Sequence, residues 1–357
     1  MHAADARAAR NTLPPPLLLL LLLFSSSHAA DHHVTLIRQI VRPELQVPSI
    51  TDAVGRAIAT PSSCVPPGAI TLSVINKHHV RLRPVQFALI AHRECFMRRL
   101  VSVCFNNVSD SFGECVRSTF VVPPSDFRRS NYANLIWAKW KIISDALTIA
   151  TTALWLDADV LILRNPWAAL HLLGSSTGAT HDIRYQSEPP PFDGQDKQCA
   201  RPMPVCNGCA TVNGGQLLVR SHAFANAMYQ LRPRNLSNTE RLDQDWADAI
   251  IHRNASHFRW LLAGRRKQLG KFSSCVLPGE FTAQCWFQPS FFQPPRGRRK
   301  HSSNASLPMA ELRSLSSSCA RVTHHFNCVA NRREKGSLMK ALVADWRNRC
   351  GNHTADE

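Results

Sequence analysis

Between Ala153 and Trp167 the chain reads Ala-Leu-Trp-Leu-Asp-Ala-Asp-Val-Leu-Ile-Leu-Arg-Asn-Pro-Trp, an apolar run broken by two carboxylates one residue apart. Its apolar part up to the carboxylates reads as a buried strand. Alternate residues of a strand share a face, roughly 6.5–7 Å apart, so Asp157 and Asp159 present hard oxygen ligands side by side. Such a pair at a strand end can hold a divalent cation, and the cation can in turn hold a phosphate. Two like charges buried without a counter-charge cost several kcal/mol. A partner for them is therefore the first requirement on the fold.

The flanking sequence says what kind of sheet carries this strand. Ile70–Ile75 and Leu100–Phe105 read as strands with helix-compatible sequence between them, and Arg117–Val122 as a third. From Asn131 to Ala150, apolar residues recur at helical spacing (Leu135, Ile136, Ile142, Ile143, Ala146, Leu147) and lead into the carboxylate strand. Alternating strands and helices predict an α/β domain with a mainly parallel central sheet. Ligands of such sheets bind beyond the carboxyl ends of the strands, where Asp157 and Asp159 lie. Farther on, Asn213–Val219 reads as a turn feeding a strand, Ser221–Leu231 and Asp245–Ile251 as helices, Ser273–Pro295 as a segment with one strand, and Glu334–Trp346 as a terminal helix. Residues 31–68 are Pro-rich and weakly patterned and read as an irregular stem, so the folded domain is expected over 69–350.

The N-terminus reads as a targeting segment. Arg7 and Arg10 precede the apolar run Leu17–Phe24, and the small residues Ser25–Ala30 follow, the order of a secretory signal. The run is short of the ~20 residues that span a bilayer, so a cleaved signal over 1–30 comes first and a short anchor second. The 12 cysteines fit an oxidising compartment as disulfides, and N-glycosylation sequons stand at Asn107, Asn235, Asn254, Asn304 and Asn352. Cys206-Asn-Gly-Cys209 has no second ligand pair to complete a zinc site and reads as a bridged loop. The expected location is the Golgi or ER lumen, or outside the cell, with luminal membrane association if the leader is retained. A formal charge of +17, from 42 Lys and Arg against 25 Asp and Glu, favours anionic partners.

Several further groups fall in an order that matters jointly. Lys139 lies in the helix before the carboxylate strand. After it come Asn165-Pro166, then Asn213-Gly214-Gly215, then Asp243-Gln244, then Thr323-His324-His325-Phe326-Asn327, then Lys335. Imidazoles can complete a metal shell with carboxylates, and a lysine can neutralise phosphate. This order resembles the nucleotide-diphospho-sugar transferases of GT-A fold, in particular glycosyltransferase family 77. Members of that family show Lys before a Leu-Asp-x-Asp-Val strand, then Asn-Pro, an Asn-x-Gly strand, an Asp-Gln helix start, and a late His-x-Asn with a Lys beyond.

The resemblance implies a Rossmann-like nucleotide-sugar-binding sandwich and transfer of a sugar from a nucleoside-diphosphate sugar to a glycan or glycoprotein acceptor, with retention of configuration and no nucleic-acid partner. It implies that Asp157, Asp159 and a histidine hold Mn²⁺ or Mg²⁺; His325 fits the His-x-Asn spacing better than its neighbour His324. It implies donor contacts from Lys139, Asp157, Asp159, Asn213, Gly215 and Lys335, and places Asp243 and Gln244 at the reacting sugar. The Cys- and Pro-rich stretch near 187–210 departs from the family pattern. Two alternatives stand beside this reading. One is a secreted glycan-binding protein without catalysis. The other is a haloacid-dehalogenase-type phosphatase, whose Asp-x-Asp strand opens its domain, whereas here α/β pattern precedes it.

Overall fold

In the computed structural model, residues 50–77, 79–90, 94–106, 108–118, 130–170, 181–188, 211–232, 243–251, 271–278, 280–283, 319–327 and 332–351 are described. Seven helices and ten strands are assigned among them: α1 (Ile50–Ala59), β1 (Ala69–Ile75), α2 (Arg83–Gln86), α3 (Glu94–Met97), β2 (Leu100–Cys104), β3 (Glu114–Arg117), α4 (Ser130–Ala146), β4 (Thr152–Leu156), β5 (Val160–Ile162), β6 (Ile183–Glu188), β7 (Thr211–Val219), α5 (His222–Gln230), α6 (Asp243–Ile251), β8 (Ser274–Val276), β9 (Phe281–Ala283), β10 (Thr323–His325) and α7 (Arg332–Cys350).

The main sheet has seven strands in the order β3-β2-β1-β4-β7-β6-β8, and a three-stranded sheet runs β5-β10-β9. Within the large sheet β3, β2, β1 and β4 are mutually parallel and β7 alone runs against its neighbours. The α/β class with a mainly parallel sheet is thus the observed one. Strands β1, β2 and β4 are buried along nearly their whole length, as parallel strands covered on both faces must be.

One face carries α1, α4, α5 and α6. On α4 the stripe Ile136, Trp140, Ile143 and Leu147 follows helical spacing and packs with Phe224 and Met228 of α5. Helix α1 buries Ile50, Ala53, Val54 and Ala57 at the same period. It lies inside the stretch expected to be irregular, because prolines on either side mask a short amphipathic repeat. The opposite face packs Leu154, Leu156 and Leu218 against Val160, Ile162 and Phe281 of the small sheet.

Other boundaries also differ from expectation. The third strand is Glu114–Arg117, starting earlier than expected, since Val116 pairs with Val103 and Cys115 is bridged to Cys104; 119–122 of the expected strand lie outside the described residues. Asn213-Gly214-Gly215 lies within β7 rather than in a turn. The 273–295 segment contributes two strands, not one. Cys64–Cys95 and Cys319–Cys350 are bridged as well, and no cysteine is free among the described residues. The targeting segment 1–30, most of the stem and the Cys206/Cys209 loop lie outside the described residues, in which no helix is long and apolar enough to cross a membrane.

Candidate cation and donor site

Asp157 and Asp159 do not sit on a continuous strand. The chain leaves the large sheet after Leu156, turns with Val160 N–H donating to Asp157 C=O at 3.1 Å, and enters the small sheet as β5. The turn gathers the two carboxylates more closely than strand alternation would. Strand β10 then pairs antiparallel with β5, placing His325 opposite Val160. Ligand atoms of Asp157, Asp159 and His325 all lie within 4.8 Å of one another. Lys335, in the first turn of α7, donates to Asp159 Oδ2.

Each ligand is held from behind. The Trp155 indole N–H, two residues earlier and therefore on the same strand face, donates to Asp157 Oδ1 at 2.7 Å. Gly215 C=O accepts from Asp157 N–H at 2.9 Å, tying β7 to the turn. His325 Nδ1 lies 3.2 Å from Gln186 Oε1, and the Gln186 amide is oriented by donating through Nε2 to Phe281 C=O at 3.1 Å. That orientation makes Nδ1 the protonated nitrogen of a neutral His325. Nε2 then faces Asp159 Oδ1 at 3.3 Å, acceptor against acceptor. Only a proton or a cation between them makes such a contact favourable.

The electrostatics of the two acids diverge. Burial opposes ionisation of Asp159, but the charge of Lys335 and, when Nε2 carries the shared proton, that of His325, with their hydrogen bonds, outweigh it, holding its carboxyl well below the usual range. Burial pushes Asp157 up, and Asp159 adds to that, against the pull of Lys139, His325 and Trp155. Two carboxylates and one imidazole fit a hard or borderline divalent ion.

A second buried cluster lies beside the first. Lys139 pairs with Asp243 Oδ2 at 2.7 Å and donates to Gly214 C=O at 3.0 Å, while the Trp140 indole N–H donates to the same carboxylate oxygen at 2.8 Å. Asn213 turns its side-chain oxygen to Gly215 N–H at 2.8 Å. Gln244 is half-buried next to Gly214. Asp157, Asp159, His325 and Lys335 thus form one group and Lys139, Asn213, Asp243 and Gln244 a second, adjoining it through Gly214 and Gly215.

Gly215 is required by close approach. A Cβ built there would lie 2.0 Å from His325 Cε1 and 2.5 Å from both ring nitrogens. Gly215→Ala is expected to push the imidazole off Asp159 and weaken Mn²⁺ binding at least tenfold while circular dichroism stays unchanged; calorimetric titration checks it.

His324 serves the fold instead. It is fully buried, its Nδ1 lies 2.8 Å from Thr282 Oγ1, and its ring meets Phe326 edge-on at 4.7 Å. Burial first, then the charges of Arg321 and His325, hold its pKa well below 6.5. The unfolded chain therefore binds a proton that the folded chain refuses. The neutral site is fully compatible with folding above about pH 6.5, and stability falls as pH drops below it, by up to about 1.4 kcal/mol per pH unit. Urea midpoints between pH 7 and 5 should show this slope, flattened in His324→Leu.

Sequence reading missed Gln186, Gln86 and the Arg83–Asp110 pair. Gln86 Nε2 donates to Asp157 C=O at 3.0 Å, and Ser73 Oγ to Leu156 C=O at 2.7 Å. Arg83 joins them, bonding Ser73 Oγ at 3.2 Å, Gln86 Oε1 at 2.8 Å and Asp110 Oδ2 at 2.7 Å. No sequence pattern marks these residues, because glutamines and a lone arginine are ordinary surface types.

Fold and site together define a mainly parallel α/β protein with a carboxylate–imidazole cluster, able to hold a cation, at the carboxyl edge of its sheet. No family profile matches the chain, nor does any curated protein. Among solved structures, it is similar to a glycosyltransferase involved in glycosylation of the major capsid of PBCV-1, with 13% identity, TM-score 0.40, and 76% of this chain and 98% of that one covered. The galactosyltransferase LgtC, solved with donor and acceptor sugar analogues, matches at 13% identity and TM-score 0.34 over 78% and 99% of the two chains. Mouse xyloside xylosyltransferase 1 matches at 12% identity and TM-score 0.34 over 74% and 99%. A shared function does not follow from likeness of this degree.

Proposed function

We propose that this protein is a GT-A-type glycosyltransferase, moving a sugar from a nucleoside-diphosphate sugar to a glycan or glycoprotein acceptor with retention, in the lumen of the secretory pathway. The observation that carries this reading is the meeting of Asp157, Asp159 and His325 within 4.8 Å, with His325 Nε2 and Asp159 Oδ1 facing as two acceptors. These three residues would hold Mn²⁺ or Mg²⁺. The ion, when bound, supplies Lewis-acid stabilisation of the diphosphate.

The chain's own groups do the rest. Lys335, already at the carboxylates, adds positive charge where the departing diphosphate gathers negative charge, the preorganised kind of stabilisation that needs no rearrangement. Lys139 fixes the Asp243 side chain at 2.7 Å, so that its remaining lone pairs can accept from sugar hydroxyls. Asn213 and the backbone at Gly215 shape the floor, and Gln244 stands at the reacting carbon. The Asp-x-Asp strand is fourth in the chain, behind three parallel strands, which speaks against the phosphatase alternative.

The test is a panel of UDP- and GDP-sugars with Mn²⁺ or with chelator, read as donor hydrolysis and as thermal stabilisation. One donor is expected to raise the Tm only with the cation. Cation-independent binding of glycans, with no response to any sugar nucleotide, would replace the enzyme by a binding protein.

A further inference from the structure

A second charged constellation lies away from the proposed donor site. On β6, Ile183 and Tyr185 face the helices, so Arg184 faces the other way, toward the side of the small sheet. On β7, Leu217 and Val219 face the helices and Leu218 the small sheet. Arg184 is registered with Leu218, and the ladder continues as Arg220 N–H donates to Asp182 C=O at 2.9 Å. Arg184 and Arg220 are therefore diagonal neighbours on one face, close enough to interact.

Arg184 is only 6% exposed, flanked in the sheet by Leu218 and Cys275, and its Nε has no hydrogen-bond partner. No ion pair to it exists among the described residues. His181, 9% exposed, has an unpartnered Nδ1 as well. The adjacent carboxylate, Asp182, is committed: its Oδ2 accepts from Ser273 N–H at 2.7 Å and Ser273 Oγ at 2.8 Å. A buried guanidinium next to a second one, with the local acid already engaged, is a cost that no group among the described residues relieves.

We propose that Arg184 and Arg220 form an oxyanion site that takes a phosphate or sulfate group. Two guanidinium forks match the geometry of a tetrahedral oxyanion, and half-buried Arg220 gives access from solvent. Desolvation, then Arg220, lowers the Arg184 pKa, and desolvation, then both arginines, lowers that of the neighbouring His181 against the smaller pull of Asp182, which describes a net positive field. Arg184 aligns through Leu218 with Leu154, so the cluster sits about 10 Å down the strand axis from Asp157 and two strands across. It is independent of the donor.

The experiment measures the Tm of the full chain in chloride, inorganic phosphate, inorganic sulfate and a sulfated disaccharide at equal ionic strength, for wild type, Arg184→Met and Arg220→Gln. Wild type is expected to gain about 3–6 °C from the oxyanions at saturation, with the gain lost in both variants. Arg184→Met should also be more stable than wild type in chloride, since it removes an unpaired charge. Half-exposed Arg220 provides a variant that keeps the core intact. Stabilisation by the disaccharide at lower concentration than by sulfate identifies a glycan-borne group; equal potency identifies the free ion. Equal gains in wild type and both variants would reveal a general salting effect and overturn the site, as would no gain over chloride in wild type.

Discussion

Asp159→Asn is expected to abolish cation-dependent donor binding and to lower turnover by on the order of 10²-fold or more. The substitution keeps the shape of the side chain but removes the charge that Lys335 and His325 share. It also leaves the ammonium of Lys335, 13% exposed, without its partner, so a loss of stability accompanies the loss of function. The double variant Asp159→Asn/Lys335→Met separates the two, because neighbouring substitutions of this kind are not additive. Stability should recover and Mn²⁺ binding should not. Titration calorimetry and thermal melts on wild type, Asp159→Asn, Lys335→Met and the double variant decide it, and recovery of Mn²⁺ affinity in the double variant would remove Asp159 from the cation site.

Asp110→Asn is expected to be among the most damaging substitutions away from the rim. The Arg83 and Asp110 side chains are 2% and 0% exposed, and their ion pair measures 2.7 Å. Burial is the first cause lowering the Arg83 pKa, and Asp110 opposes it. Removing one partner of such a pair costs about 3–5 kcal/mol, a fall in Tm on the order of 10 °C. Arg83→Met/Asp110→Leu should restore most of that. It should not restore full donor affinity, because Arg83 also fixes Ser73 and Gln86, whose bonds to the carbonyls of Leu156 and Asp157 set the carboxylate turn. A double variant that matches wild type in donor binding would confine Arg83 to stability.

Much of the architecture was legible because it is written in local periodicity. The apolar runs at 70–75 and 100–104, the helical stripe in α4 and the Ala153–Leu156 strand are each explained by residues a few positions apart. Strands such as β6 and β10 were not legible. Ile183–Glu188 and Thr323–His325 are short and rich in polar residues, and they become strands only because β7, β5 and β9 supply their hydrogen bonds. Gln186 escaped notice for the same reason.

The amino-acid sequence alone determined that a carboxylate pair ends a buried strand of an α/β domain, and that Lys139, Asp243, a late histidine and Lys335 accompany it in order. Its His-x-Asn spacing favoured His325 over His324, but not by any contact with the carboxylates. Side chains alternate across a strand, so His324 and His325 must face opposite sides, and a slip of one residue between β10 and β5 would exchange them. Register is set by contacts between segments that are far apart in the chain. Only the packed tertiary structure, with His325 opposite Val160 and Lys139 against Asp243, could decide it.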